Sequence, residues 1–337
     1  QLHAQDFGFV LGPRINAAGR MDNMRIGIEC LLTDDWGTAQ RLAHELELLN
    51  RNRRQVEGEM RTQADNIVQA LSNDSQAESF SNNETVENSD SDDIVIATKI
   101  QQKLTAKAKR SIVLYQDDWH QGVIGIVAGR LKESYYRPSI VFAPADVERT
   151  EADDSIKGSA RSIAGVHIRD AIEQVAERNP ELITHFGGHA MAAGLTIKRR
   201  NFKVFVSAFD EVMAQLDDEV FAEQKFTDGE LQARDFSLWF TDELADANVW
   251  GHGFASPIFD GIFEVLSFKV LKDKHLKLSL RYPDVQYPIE AIYFNFDHEV
   301  WDYRAEKVHI LFELDINEWN GKRSLQLMVK DLAIVEA

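Results

Sequence analysis

Cysteine is nearly absent: 337 residues hold one, Cys30. A lone thiol excludes a disulfide framework. Its place in an apolar helical run with Ile28, Leu31 and Leu32 predicts a buried small residue rather than a nucleophile or a ligand. Long apolar runs are missing too. None approaches 18 residues and mean hydropathy is −0.32, which excludes a transmembrane helix. No basic start followed by an apolar core and a small-residue cleavage site opens the chain, so a cytoplasmic protein is expected. Positive charge is in deficit, with 37 Lys and Arg against 55 Asp and Glu, a net charge of −18. Taken whole, that balance disfavours a nucleic-acid partner.

The deficit is not spread evenly. Residues 1–72 carry 8 basic and 10 acidic side chains, 73–95 carry 0 and 7, 96–226 carry 18 and 18, and 227–337 carry 11 and 20. The stretch 96–226 is therefore neutral and has room for one positive face. It also holds three glycine-punctuated segments. Ile183–Leu195 contains three glycines and two histidines among small residues. Adjacent glycines can turn successive N–H groups into an anion-binding concavity, with His189 donating at its end; the alternative is a tight turn under a neighbouring element. Trp119–Leu131 sets His120, Gln121 and Gly122 before an apolar helical run, and Lys157–Ser162 combines a glycine, two hydroxyls and two cations. All three suit phosphate chemistry.

At 337 residues the chain should hold two or three domains. Residues 7–21 have no lead-in strand and the chain has no start methionine, so it is expected to be part of something longer. Arg14, Asn16 and Arg20 sit there on a small-residue scaffold, suited to bidentate phosphate or carboxylate contacts; helix capping and surface ion pairs are the alternative. Asp34 or Asp35 can cap a following helix. Apolar steps of three and four from Ala39 to Leu71 predict one amphipathic helix over 36–72, a strut of roughly 54 Å, with Arg51, Arg53 and Arg54 on a solvated face. Residues 73–95 are polar and acidic and are expected to be a disordered insert. Residues 96–226 alternate strands and helices, an α/β domain. From 227 the pattern turns to five runs of period-two alternation, which predict a small barrel with an OB-fold as leading candidate. Trp250, Tyr293, Phe294 and Trp301 are available there for stacking on bases, but aromatics in so small a barrel more often fill its core.

The stretches 11–22, 117–133, 135–143, 157–171 and 183–197 together resemble the RecJ family of single-strand-specific DNA exonucleases, of the DHH phosphoesterase superfamily. Residues 250–261 and the following β runs look like that family's C-terminal OB domain. The resemblance implies the tail of a DHH domain over 1–35, the connecting helix 36–72, the acidic insert 73–95, an α/β DHH-associated domain over 96–226, and an all-β OB-like barrel over 227–337. It also implies two divalent metals, Mn²⁺ or Mg²⁺, held by a DHH domain. No Asp-His-His occurs here, and Asp297-His298 is the nearest pair of that character. The expectation is a fragment without the metal-ligand half, inactive alone.

By the same resemblance, Arg14, Asn16 and Arg20 face the scissile or adjacent phosphates. Ser159, Arg161 and Ser162 hold the 5′ phosphate of single-stranded DNA. Gly187, Gly188 and His189 donate to the strand, with His120 and Gln121 beside them. Single-strand-binding protein is a candidate second partner, and no membrane is expected. Two other readings stand: a phosphodiesterase for short oligonucleotides or cyclic dinucleotides, which needs neither strut nor barrel, and a non-catalytic scaffold, which does not need Arg161 and His189.

Overall fold

A computed structural model describes residues 6–79, 110–145, 154–251, 253–296 and 301–335, with backbone alone for 72–79. The chain divides into two compact units, the second beginning at Gln224.

The first unit opens on a π-helical turn, Phe7–Leu11, that runs into α1 (Gly12–Met21). Next come α2 (Arg25–Leu32) and α3 (Trp36–Ser79). Asp35 caps α3, accepting from the Thr38 N–H at 2.7 Å, which holds its carboxyl below the usual range. The helix runs 44 residues, about 66 Å at ~1.5 Å per residue. Residues 73–79, expected to begin a disordered insert, are its last two turns; 80–95 lie outside the described residues. Arg53 departs from the expected solvated face. It is half-buried, with its guanidinium on Glu57 at 2.5 Å and Asn50 at 3.1 Å. Leu42 and Leu46 bury the N-terminal half of α3, and Met60, Ala64 and Val68 bury the other half at helical spacing. Cys30 is half-buried rather than enclosed, its thiol 3.8 Å from the Ala39 carbonyl. The apolar run around it is open instead, with Ile28, Leu31 and Leu32 exposed.

The rest of this unit is a five-stranded sheet in the order β1-β2-β3-β5-β4: β1 (Ile112–Tyr115), β2 (Ser139–Pro144), β3 (Ser155–Arg161), β4 (Ile183–Gly188) and β5 (Ala192–Lys198). Strands β1 and β2 are parallel, joined through α4 (Ile124–Tyr135); the other pairs are antiparallel. Period-two alternation gives the sheet two faces. Ile140, Phe142, Ile156, Ala160, Leu195 and Ile197 point to one core with α5 (Ile168–Arg178) and α6 (Phe202–Met213). Each such fully buried aliphatic or phenyl side chain contributes roughly 1.5–3 kcal/mol. On the other face Ile112, Leu114, Val141 and Ala143 meet α4 and the second half of α3. Those helices cover β1 and β2 and, through α4, the near side of β3. On β3, β5 and β4 that face carries Lys157, Ser159, Arg161, Gly194, Thr196, His185 and Gly187, none of them buried.

The second unit is a closed barrel in the order β10-β8-β7-β6-β9. Its strands are β6 (Phe259–Leu271), β7 (His275–Arg281), β8 (Ile289–Phe294), β9 (Lys307–Trp319) and β10 (Lys322–Ile334). Only β8 and β10 pair in parallel. The β9–β10 hairpin turns on Asn320-Gly321, φ 52° and 73°, the left-handed pair that matches strand twist. Phe236, Phe263 and Phe312 pack edge-on and stacked inside. Helix α7 (Leu238–Ala247), capped by Ser237, lies against β9 and β10. Trp301 belongs to this core, 4% exposed, and Tyr293 packs against it. Phe294 is exposed beside His275, and Trp250 stacks on Phe254 at 5.0 Å.

Candidate functional site

The uncovered half of the sheet in the first unit ends in a recess of about 360 Å³. Three elements wall it: Gly19 and Arg20 from the last turn of α1, Gln121, Gly122, Ile124 and Gly125 at the start of α4, and Lys157, Gly158, Ser159 and Arg161 of β3. The three cations come from two reasons of local geometry. Arg20 is in the last turn of α1, where its side chain clears the packed residues Ala17 and Ala18. Lys157, Ser159 and Arg161 alternate on β3, so all three leave the core face together. Gly158 between them must lack a side chain, because a Cβ there would meet the Phe142 ring at 2.5 Å and Leu195 at 2.8 Å.

Arg161 is half-buried, and its guanidinium donates to the Ser159 hydroxyl at 3.1 Å and the Ala160 carbonyl at 2.8 Å. Arg20 donates to the Gly122 carbonyl at 3.5 Å. Among the described residues neither guanidinium has a carboxylate within ion-pair distance. Burial first, and then the charge of Arg20, pushes the Arg161 pKa down. Two like charges held close without a counterion destabilise each other until an anion enters between them. A phosphate or carboxylate group fits that need, and Arg forks suit its planar or tetrahedral oxygens. The described residues contain no group of three or more His, Cys, Asp or Glu able to hold a metal ion. The metal chemistry expected from the resemblance does not fit this recess.

Of the residues singled out from sequence, Arg20, Gln121, Ser159 and Arg161 come together here. Arg14 does not: its Nε sits 2.6 Å from Glu47 and its Nη1 2.6 Å from the Val10 carbonyl, tying α1 to α3. Asn16 is exposed on α1 and does not line the recess. The His120 ring faces backward, its Nδ1 accepting from the Gly122 N–H at 3.1 Å. Ser162 is buried, its hydroxyl donating to the Val166 carbonyl at 2.7 Å. Gly187, Gly188 and His189 form no anion nest. They end β4 and begin its hairpin into β5, with the His189 N–H donating to Ala192 at 2.8 Å. Gly188 needs its positive φ of 148° and its missing Cβ, which would lie 2.5 Å from the Ala192 carbonyl. Gly187 lies on the open face in one cross-strand row with Gly194 and Ser159. Sequence marks Lys157 as one of the two cations of 157–162 without giving it a site role, and the spacing of Gly125 and Gly129 speaks only of close helix packing.

Residues 108–215 match the DHHA1 domain family and residues 227–331 match the RecJ OB domain family. An α/β unit bearing a cationic recess and followed by such a barrel is a DHH-associated domain joined to an OB domain. The chain belongs to the RecJ family. It is 37% identical to the single-stranded-DNA-specific exonuclease RecJ of Salmonella typhimurium over 98% of its length, and 38% identical to that of Haemophilus influenzae over the same share. It spans about half the length of these curated relatives, 52% of each. The crystal structure of Thermus thermophilus RecJ in complex with Mg²⁺ superposes with a TM-score of 0.71 at 24% identity, covering 99% of this chain and 44% of that one; it supports the fold. A second structure of the Thermus protein holds Mn²⁺.

Proposed function

We propose that this chain supplies the 5′-phosphate-binding and strand-holding parts of a 5′→3′ single-stranded-DNA exonuclease of the RecJ kind. One observation carries the reading: Arg20 and Arg161 share one recess with Lys157, and among the described residues no carboxylate lines it. A phosphomonoester at a 5′ end brings about two negative charges, where a diester brings one, so three cations favour a terminus over an internal phosphate. The Ser159 hydroxyl and the Arg161 fork orient that phosphate. The open face of β3, β5 and β4, flat at Gly194 and Gly187, gives the following nucleotide a surface without side chains to clear. Contact through phosphates and not base edges makes the holding independent of sequence. Hydrolysis in this reading would draw on two divalent metals, Mn²⁺ or Mg²⁺, which would supply an activated water when bound. The reading puts their ligands in the half of the relatives that this chain does not match and expects the chain alone to be inactive.

Fluorescence anisotropy with one oligodeoxynucleotide, 5′-phosphorylated or 5′-hydroxyl, tests the assignment. The phosphorylated form should bind at least tenfold tighter, about 1.4 kcal/mol. Arg161→Ala should remove most of that difference. Equal affinity for both forms in the parent chain would take the 5′ phosphate out of the recess.

A further inference from the structure

Two glycines, Gly122 in the turn before α4 and Gly125 in its first turn, stand where the two arginines need room. A Cβ on Gly122 would lie 1.8 Å from the Arg20 carbonyl oxygen. A Cβ on Gly125 would lie 2.9 Å from Arg161 Nη2 and 3.0 Å from Ser159 Oγ. Gly129, one turn on, has nothing within 4 Å of its Cβ position. None of the three has a positive φ, so backbone conformation does not call for glycine at any of them. At 122 and 125 the space does.

We propose that Gly122 and Gly125 are positioning residues which set the spacing between the Arg20 and Arg161 guanidinium groups. Gly122 acts through the backbone. Its bare Cα lets the last turn of α1 rest against the turn into α4, which fixes the base of the Arg20 side chain. Gly125 acts on the side chain itself, leaving the slot in which the Arg161 fork lies beside the Ser159 hydroxyl. The need for such a template follows from the electrostatics. Two guanidiniums repel, and among the described residues only neutral partners hold them: the Gly122 carbonyl for Arg20, Ser159 and the Ala160 carbonyl for Arg161. Among those residues no carboxylate tether sets their separation, so shape does. A methyl at 125 pushes the Arg161 fork out of line, and a bidentate contact is sensitive to that.

This inference rests on the recess being the 5′-phosphate site, and the test separates the two. Gly122→Ala, Gly125→Ala and Gly129→Ala are made in this chain, alone and combined with Arg20→Ala or Arg161→Ala. Each is titrated with the 5′-phosphorylated and 5′-hydroxyl oligodeoxynucleotides. Gly125→Ala should cut the preference for the phosphorylated form by about tenfold, the loss expected when one charge-assisted hydrogen bond is misaligned. Its affinity for the 5′-hydroxyl form should not change. It should have no further effect once Arg161 is alanine, yet still act when Arg20 is alanine; Gly122→Ala should show the mirror pattern. Gly129→Ala should bind like the parent. If Gly122→Ala does not fold, the Gly125 cycle decides. Retained preference in Gly125→Ala, or an equal loss with Arg161 already removed, overturns the inference. A parent chain blind to the 5′ phosphate overturns the site assignment itself.

Discussion

Among the described residues Arg161 has no carboxylate to neutralise its charge. Burial and the neighbouring Arg20 both disfavour its protonated form, and its partners are a hydroxyl and a carbonyl. Removing that charge should relieve repulsion while, on the proposed function, abolishing phosphate binding. Arg161→Gln should therefore melt at the parent's temperature or about 1–3 °C higher without added anion. Inorganic phosphate at ten times its Kd should stabilise the parent by about 1.4 kcal/mol and leave the variant unmoved. Arg14 offers the contrast. Its ion pair with Glu47 is a solvent-screened tie between α1 and α3. Arg14→Ala should keep the full preference for a 5′ phosphate. Sequence alone gave Arg14 and Arg20 equal standing. Six positions separate them, about 240° around a helix, and only the packing of α1 decides which one faces the recess.

At the scale of elements, the period of the apolar pattern decided what was legible. The five barrel strands and the long helix show their periods openly. Strands β4 and β5 do not, because glycine and alanine dominate 187–194 and give no β propensity. They are strands because β3 offers β5 a partner along its whole length. Neighbouring structure overrode local preference, and a segment expected to be a phosphate nest is a sheet edge. One element-scale tie carries a pH dependence. Asp260 on β6 accepts from the Thr227 hydroxyl at 2.7 Å and contacts the His309 ring on β9 at 2.9 Å, holding the residues before the barrel to its wall. Burial would raise the Asp260 pKa, but Thr227 and His309 outweigh it and hold the carboxyl below its ordinary value. A depressed carboxyl contributes stability above its unfolded pKa, near 4, and loses it as pH falls through the folded value. Asp260→Asn should lower the melting temperature by roughly 2–5 °C at pH 7. The gap should close as pH falls below about 4.

For the molecule as a whole, a net charge of −18 looks like an argument against DNA, but under the proposed function a strand meets only part of that charge. On that reading binding responds to Arg20, Lys157 and Arg161, which line one recess, and not to the total. Three phosphate-facing cations predict a slope of about −2 for log K against log salt on a single strand, from ~0.7 counterions per contact. A slope of zero would mean the strand is held by something else; one of −5 or steeper would mean the cationic surface extends well beyond the recess. Charge summed by segment leaves room for a positive face in 96–226. Sequence could not show that three cations share one recess, since that depends on how α1, α4 and β3 meet.

Arg20 and Arg161 lie 141 positions apart along the chain. The pocket they share is thus a product of late, long-range closure and does not exist in any partly formed helix or hairpin. During refolding, capture of a phosphorylated oligonucleotide should lag behind the recovery of helical circular dichroism. The anion can serve as a clock for the moment at which α1 finally seats against the sheet domain.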